Sequence, residues 1–146
     1  MANRIFRGSA EKTVSSKIVA GAYLPGTFVT EGASTLTQAT APAGLLRVLA
    51  NRDWYSEGGL TATDPLLTAY ASGDTADAYA IEPGYIFQIA AAAATYTYGQ
   101  ELTIGAGGRV TAAASTNLVI GFARTAGAKS AGDLIDVEIA NFYVKA

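Results

Sequence analysis

Acid–base chemistry in this chain would have to be done by carboxylates, because the sequence contains neither histidine nor cysteine. That removes thiol nucleophiles, Ser-His-Asp triads, imidazole proton transfer, Cys/His zinc sites and disulfides. Three carboxylate pairs lie close in sequence: Asp53 with Glu57, Asp74 with Asp77, and Asp136 with Glu138. A glycosidase needs two such groups across a cleft, roughly 5–9.5 Å apart, one of them with a raised pKa. Asp136 and Glu138 alternate with Ile135, Val137 and Ile139, which puts both carboxylates on one wetted strand face. Asp74 follows Gly73, a turn signal. No pair is assigned a catalytic role.

Ligand loops are equally sparse. Thr63-Asp64-Pro65 and Asp74-Thr75-Ala76-Asp77 lack the oxygen density of a calcium loop. Gly105-Ala106-Gly107-Gly108-Arg109 has glycines but no Lys-Ser/Thr, so it reads as a tight turn rather than a phosphate cradle. The expectation is no metal and no cofactor. Four aromatics stand out, Trp54 with Tyr55 and Tyr96 with Tyr98, the second pair on one face of a strand. Such faces stack on sugars or bases, but no basic groove surrounds them, so they are read as buried or interface aromatics.

The elements that would position these residues are strands. Lys17–Ala20, Thr27–Thr30, Leu118–Phe122 and Leu134–Ile139 are short apolar or β-branched runs bounded by Gly, Pro, Asn or Asp, and Asp77–Glu82 is a weaker run of the same type. Leu45–Leu49 reads as either a short helix or a buried strand, and Ala90–Ala94 as a turn of helix or a close-packed bend. Turns are dense: Leu24-Pro25-Gly26, Glu57-Gly58-Gly59, Ser72-Gly73-Asp74 and Glu82-Pro83-Gly84. An echo links Gly26–Ala33 to Gly99–Ala106, Leu36–Ala39 to Val110–Ala113, and Leu49–Arg52 to Phe122–Arg124. The expected fold is all-β, a compact antiparallel sandwich or small barrel with little helix. An extended arm, residues 1–16, leads into a single domain, 17–146, with two similar β units at about 23–52 and 96–140.

The chain has 146 residues, 50% of them hydrophobic and 15% charged, which excludes disorder and needs no staple for folding. The net charge of −2 argues against nucleic acid, whose binding rests on phosphate neutralisation. No apolar run is long enough to span a bilayer, and Met1–Lys12 carries charge with no apolar stretch of a signal peptide after it. Synthesis in a bacterial cytoplasm is expected. The first residues are basic, with Arg4, Arg7, Lys12 and Lys17 against Glu11, while Asp53–Gly108 holds seven acids and no base. An arm in which Arg4, Ile5, Phe6 and Arg7 mix charge with apolar bulk could find an acidic surface on a neighbour. At the other end, apolar Phe142-Tyr143-Val144 suggests a strand end covered by the body or by a neighbour.

The order of features over Tyr98–Glu138 resembles the decoration, or cement, proteins on the heads of tailed bacteriophages. The matching runs are Gly99-Gln100-Glu101-Leu102-Thr103, Gly108-Arg109-Val110-Thr111-Ala112-Ala113, Val119-Ile120-Gly121-Phe122-Ala123 and Ala131-Gly132-Asp133-Leu134-Ile135-Asp136-Val137. The resemblance covers the last third of the chain, with a fainter copy in Gly26–Arg52. It implies a β-tulip or jelly-roll-like protein that performs no reaction and binds the outside of an assembled capsid, bridging major capsid subunits. It also implies a homo-oligomer, trimer favoured over dimer, with Arg4, Ile5, Phe6 and Arg7 touching capsid or subunit. The expected setting is the virion exterior, with no membrane partner. The competing reading is a carbohydrate-binding or host-adhesion module, such as a head fibre or tail component, with Trp54, Tyr55, Tyr96 and Tyr98 as its platform.

Overall fold

The computed structural model describes Ile5, residues 16–51 and residues 66–146. Their strands, in chain order, are β1 (Lys17–Val19), β2 (Phe28–Glu31), β3 (Thr35–Gln38), β4 (Leu46–Leu49), β5 (Thr75–Ala76), β6 (Ala78–Ala80), β7 (Ile86–Ala90), β8 (Ala94–Tyr96), β9 (Glu101–Ile104), β10 (Val110–Ala112), β11 (Leu118–Ala123), β12 (Gly127–Lys129) and β13 (Leu134–Val144). One 3-10 turn, Ala106–Gly108, interrupts them, and no α-helix occurs among the described residues. The all-β expectation holds.

Both ambiguous segments resolve as extended chain. Leu45–Leu49 supplies β4 because both of its faces are covered: Leu46 and Val48 enter one core cluster and Leu49 another. A strand buried on two sides reads as a continuous apolar run. Ala90 ends β7, Ala91 forms a lone parallel bridge to Val110, and Ala94 opens β8. Ala91 is fully buried, so the alanines mark a close-packed bend.

The first six strands form a sheet in the order β5-β1-β3-β2-β4-β6. Only Asp77 separates β5 from β6, so the two edges are successive stretches of one extended segment and the sheet closes on itself. Its pairs are antiparallel except β1 with β3, which run parallel through Ile18↔Thr35 and Val19↔Leu36. The second sheet, β10-β9-β11-β13-β7, closes in the same way. There Ala91 supplies the parallel contact to β10. Each unit is therefore a small barrel.

The two rings match bond for bond. Gly26 N–H donates to Leu49 O at 2.9 Å, and Gly99 N–H to Ala123 O at 2.7 Å. Ala20 N–H donates to Leu36 O and Ala92 N–H to Val110 O, both at 2.9 Å. Gly73 N–H donates to Val19 O and Gly132 N–H to Ala91 O, again at 2.9 Å. The interiors follow. Val19, Val29, Leu36, Leu49, Ala76 and Ala78 fill the first barrel with Tyr23 packed on them. Their counterparts Ala91, Leu102, Val110, Ala123, Ile135, Val137 and Tyr96 fill the second.

The barrels are joined by one further apolar layer. Phe28, Val48 and Tyr79 lie side by side across β2, β4 and β6 and point away from the first interior into the second unit's cluster. All three are buried, and the Tyr79 ring sits 5.6 Å from that of Phe87. Each such side chain contributes roughly 1.5–3 kcal/mol by leaving water. Ala90 N–H donates to Gly26 O at 2.7 Å across the joint.

Candidate functional site

Of the carboxylates singled out above, Asp74, Asp77 and Glu138 are engaged within the chain. Asp74 Oδ2 accepts the Ala71 N–H at 2.8 Å, and its counterpart Asp133 accepts that of Ser130 at 2.8 Å, each locking a Gly-Asp turn. Asp77 accepts the Ser16 hydroxyl. Glu138 pairs with Arg124 at 2.7 Å. Asp53 and Glu57 lie outside the described residues. Among the described residues no three acids converge as a metal site would require, and no helix is long and apolar enough to cross a membrane.

The aromatics separate. Tyr96 and Tyr98 do not share a strand face, because β8 ends at Tyr96. Tyr96 is buried inside the second barrel, its hydroxyl 2.8 Å from Ala92 O and 3.1 Å from Val110 O. Burial pushes its pKa above the ordinary 10.0, since the phenolate would lose its water. It is thus a core residue rather than an interface one. Tyr98 is 67% exposed beside Arg124, whose guanidinium lies 6.0 Å from the ring centroid. Trp54 and Tyr55 lie outside the described residues, as do Arg4, Phe6 and Arg7. Ile5 is buried in its own chain: Gln88 N–H donates to its carbonyl at 2.7 Å, and its own N–H donates to Asn51 Oδ1 at 3.4 Å. This differs from the expectation that Ile5 serves a contact with capsid or subunit.

Among the described residues, an apolar groove of about 410 Å³ lies where the first barrel meets the last strand. Leu45, Arg47, Ile81, Pro83, Ile139 and Phe142 are among its lining. Leu45 is 58% exposed and Phe142 39%. Beyond the groove β13 runs on through Tyr143 and Val144, both exposed. Among the described residues no strand pairs with the Phe142–Val144 end on the side away from β11. Leu45 could have been found in the sequence: Leu45-Leu46-Arg47-Val48-Leu49 carries one more apolar residue than a four-residue strand can bury.

Beside the groove two cations share one carboxylate. Arg47 Nε and Lys17 Nζ each lie 2.8 Å from a different oxygen of Glu31. The Lys17 hydrogen bond first, then that of Arg47, holds the Glu31 carboxyl below its usual value against the desolvation that would raise it. On the far side of β13, the Tyr143 hydroxyl donates to Glu101 at 2.5 Å and Lys145 lies 3.4 Å from the same carboxylate. This arrangement carries no acid–base pair aimed into a cleft. It offers a largely apolar surface beside the end of β13, with the Arg47–Glu31–Lys17 cluster next to it.

A fold of two fused small barrels, built from a repeated strand pattern and bare of assigned chemistry, defines the class to which comparison applies. The chain is similar to the N-terminal base of the head fibre gp8.5 of bacteriophage phi29, with a TM-score of 0.54 and 13% sequence identity. The match covers 92% of this chain and 100% of that one. At that identity the likeness is one of fold. No family model and no curated protein matches the sequence.

Proposed function

We propose that this protein is a structural component of a tailed-phage virion, made in the host bacterial cytoplasm, that binds the outer surface of the assembled head. There it stabilises the capsid by bridging major capsid subunits. The observation that carries this reading is the double-barrel architecture, similar over 92% of the chain to a protein described as the base of a phage head fibre. The cement-like motif run over Tyr98–Glu138 supports the same placement, and its Gly-Asp element is the turn before β13. In this reading the protein catalyses no reaction and needs no cofactor. It acts as a homo-oligomer, so that several modest contacts raise avidity without any single strong site.

The test is occupancy. Purified protein is mixed with expanded and unexpanded heads and the bound copies are counted after sedimentation. Binding to expanded heads with a rise in the temperature at which the shell opens is the expected result, and binding to neither form refutes the proposal. The same likeness favours one second reading, a head-fibre base, which would occupy heads without changing the temperature at which they open.

A further inference from the structure

We propose that the groove between the first barrel and the end of β13 is a docking site for an extended segment of another protein, one that carries apolar side chains next to a carboxylate. The first observation is the bulge in β13. Gly121 pairs with Ile139 and Val119 with Tyr143, so the single residue Ile120 on β11 is set against Ala140, Asn141 and Phe142 on β13. All three of those residues line the groove. A bulge re-aims side chains and is frequent beside functional sites. Here the extra length of β13 builds part of the lining, while Leu45 and Arg47, at the start of β4, line it from the first barrel. The volume of about 410 Å³ falls within the roughly 300–1,000 Å³ of binding clefts.

Charge selects the occupant. Among the described residues Arg47 is the only charged residue in the lining. Its Nε donates to Glu31 and its Nη1 to Leu46 O at 3.2 Å, which leaves Nη2 without a partner among the described residues. Lys17 shares the same carboxylate, so the cluster beside the groove holds two cations against one anion. Glu82, between the lining residues Ile81 and Pro83, has a partner of its own and does not enter the lining. An acidic segment is therefore drawn in and a basic one repelled, with a carboxylate placed to accept from Nη2. The other polar side chain in the lining is that of Asn141, which makes no hydrogen bond among the described residues. Its amide offers a donor and an acceptor together. A peptide unit answers both, whereas an acyl chain answers neither. Leu45, Ile81 and Phe142 supply the apolar contact for the segment's side chains.

Peptides test this without phage heads, so its outcome is separate from that of the capsid reading and either can fail alone. The full chain, isotope-labelled for amide NMR, is titrated with acetyl-Leu-Asp-Val-Asp-Leu-amide and with acetyl-Leu-Lys-Val-Lys-Leu-amide. The expected result is saturable shifts of the Leu45, Ile81 and Phe142 amides with the acidic peptide and none with the basic one. Leu45→Ser, at a position 58% exposed, should weaken the acidic peptide while leaving the unfolding midpoint unchanged. Arg47→Gln should weaken it about threefold and Glu31→Gln tighten it by a similar factor, the size of one surface charge interaction. Loss of a merely structural ion pair would move both variants the same way. The proposal is overturned by no shift with the acidic peptide at about 1 mM, by equal binding of the basic peptide, or by the same sign from Arg47→Gln and Glu31→Gln. Equal shifts from octanoate, or from raising the protein concentration alone, would likewise overturn it in favour of an acyl ligand or a second copy.

Discussion

Replacing Gly108 by alanine should damage the protein far more than the same change at Gly107, and the difference measures the joint between the barrels. Both glycines lie in the left-handed region, at φ of 66° and 68°. A β-carbon there costs roughly 1–2 kcal/mol wherever it falls. At Gly107 the nearest atom would be 3.8 Å away, on Arg109, so that cost is the whole effect. At Gly108 the new carbon would meet Phe28 N at 3.0 Å and fall closer still to Phe28 O and Gln38 Nε2. Gln38 can swing aside, but Phe28 belongs to β2 and its ring is part of the buried joint. Overpacking a tight site costs about 1–3 kcal/mol more. The expected losses are therefore about 1–2 kcal/mol for Gly107→Ala and about 2–5 kcal/mol for Gly108→Ala. For a chain of this length each kcal/mol lowers the melting temperature by about 3–4 °C, so thermal or urea unfolding separates the two. Equal destabilisation would refute the claim that the turn at Ala106–Gly108 is packed directly on β2.

Three further outcomes follow from the same geometry. Tyr96→Phe should cost about 1–3 kcal/mol by denaturant unfolding, because it strands the Ala92 carbonyl in the second barrel, whereas Tyr98→Phe should be silent. Asp74→Ala and Asp133→Ala each remove one carboxylate-to-N–H bond from equivalent turns, so each should cost about 0.5–1.5 kcal/mol and the two should agree. The Glu101–Tyr143 contact should give stability a window in pH. Glu101 is held below its ordinary 4.5 chiefly by the Tyr143 hydroxyl, so its contribution is present above that value and fades as pH falls through the folded pKa. Tyr143 is raised above 10.0 chiefly by Glu101, so its contribution is present below that value and is lost as pH rises through the folded pKa. Tyrosine absorbance titration should show two late-ionising groups, Tyr96 and Tyr143, of which one disappears in Tyr143→Phe.

Much of this architecture is legible in the residues, and what is not has a physical reason. The alternation of Ile135, Val137 and Ile139 with Asp136 and Glu138 announces β13 because one face is buried and the other wetted. The echo of Leu36–Ala39 in Val110–Ala113 coincides with the observed register, β3 pairing with β2 as β10 pairs with β9. The third echo is off by one residue: the hydrogen bonds to Thr27 O and Gln100 O equate Leu49 with Ala123, not with Phe122. The Gly-Asp turns at Asp74 and Asp133 went unmatched because counterparts keep nearly constant spacing only from Val19 and Ala91 to Leu49 and Ala123. After that the first unit carries a longer connection than the second, and the repeat slips out of phase. Ring closure was invisible for a different reason. It rests on parallel pairs, β1 with β3 and Ala91 with Val110, joining segments far apart in sequence with no turn between them to signal contact. The groove could not be read because Leu45 and Phe142 meet only through the packing of one barrel on the other's last strand.

The repeat also shows how the outer face of the second barrel differs from the docking face of the first. Phe28, Val48 and Tyr79 are the side chains by which the first barrel docks on the second. The equivalent positions on the second barrel are Glu101, Phe122 and Glu138, again side by side across three strands. Two buried apolar residues have become carboxylates. Glu101 is engaged by Tyr143 and Lys145 and Glu138 by Arg124, while the ring of Phe122 stacks obliquely on that of Tyr143, 6.3 Å away. A third barrel docking there in the manner of the first would have to strip water from two ion-paired carboxylates, which costs more than one apolar ring returns. The face that joins units within the chain is thus closed to units from outside it. Exposed apolar surface is left at the strand end and groove formed by Leu45, Phe142 and Val144, which has no counterpart in the first barrel because β6 stops at Ala80 while β13 runs on to Val144. Removing the two charges, by Glu101→Phe with Glu138→Tyr, should convert the second barrel into a docking face like the first. The result should be open head-to-tail assembly, read as growth of the sedimenting mass above that of the wild-type protein. A double variant that stays at the wild-type mass would show that the carboxylates are not what keeps this face from docking.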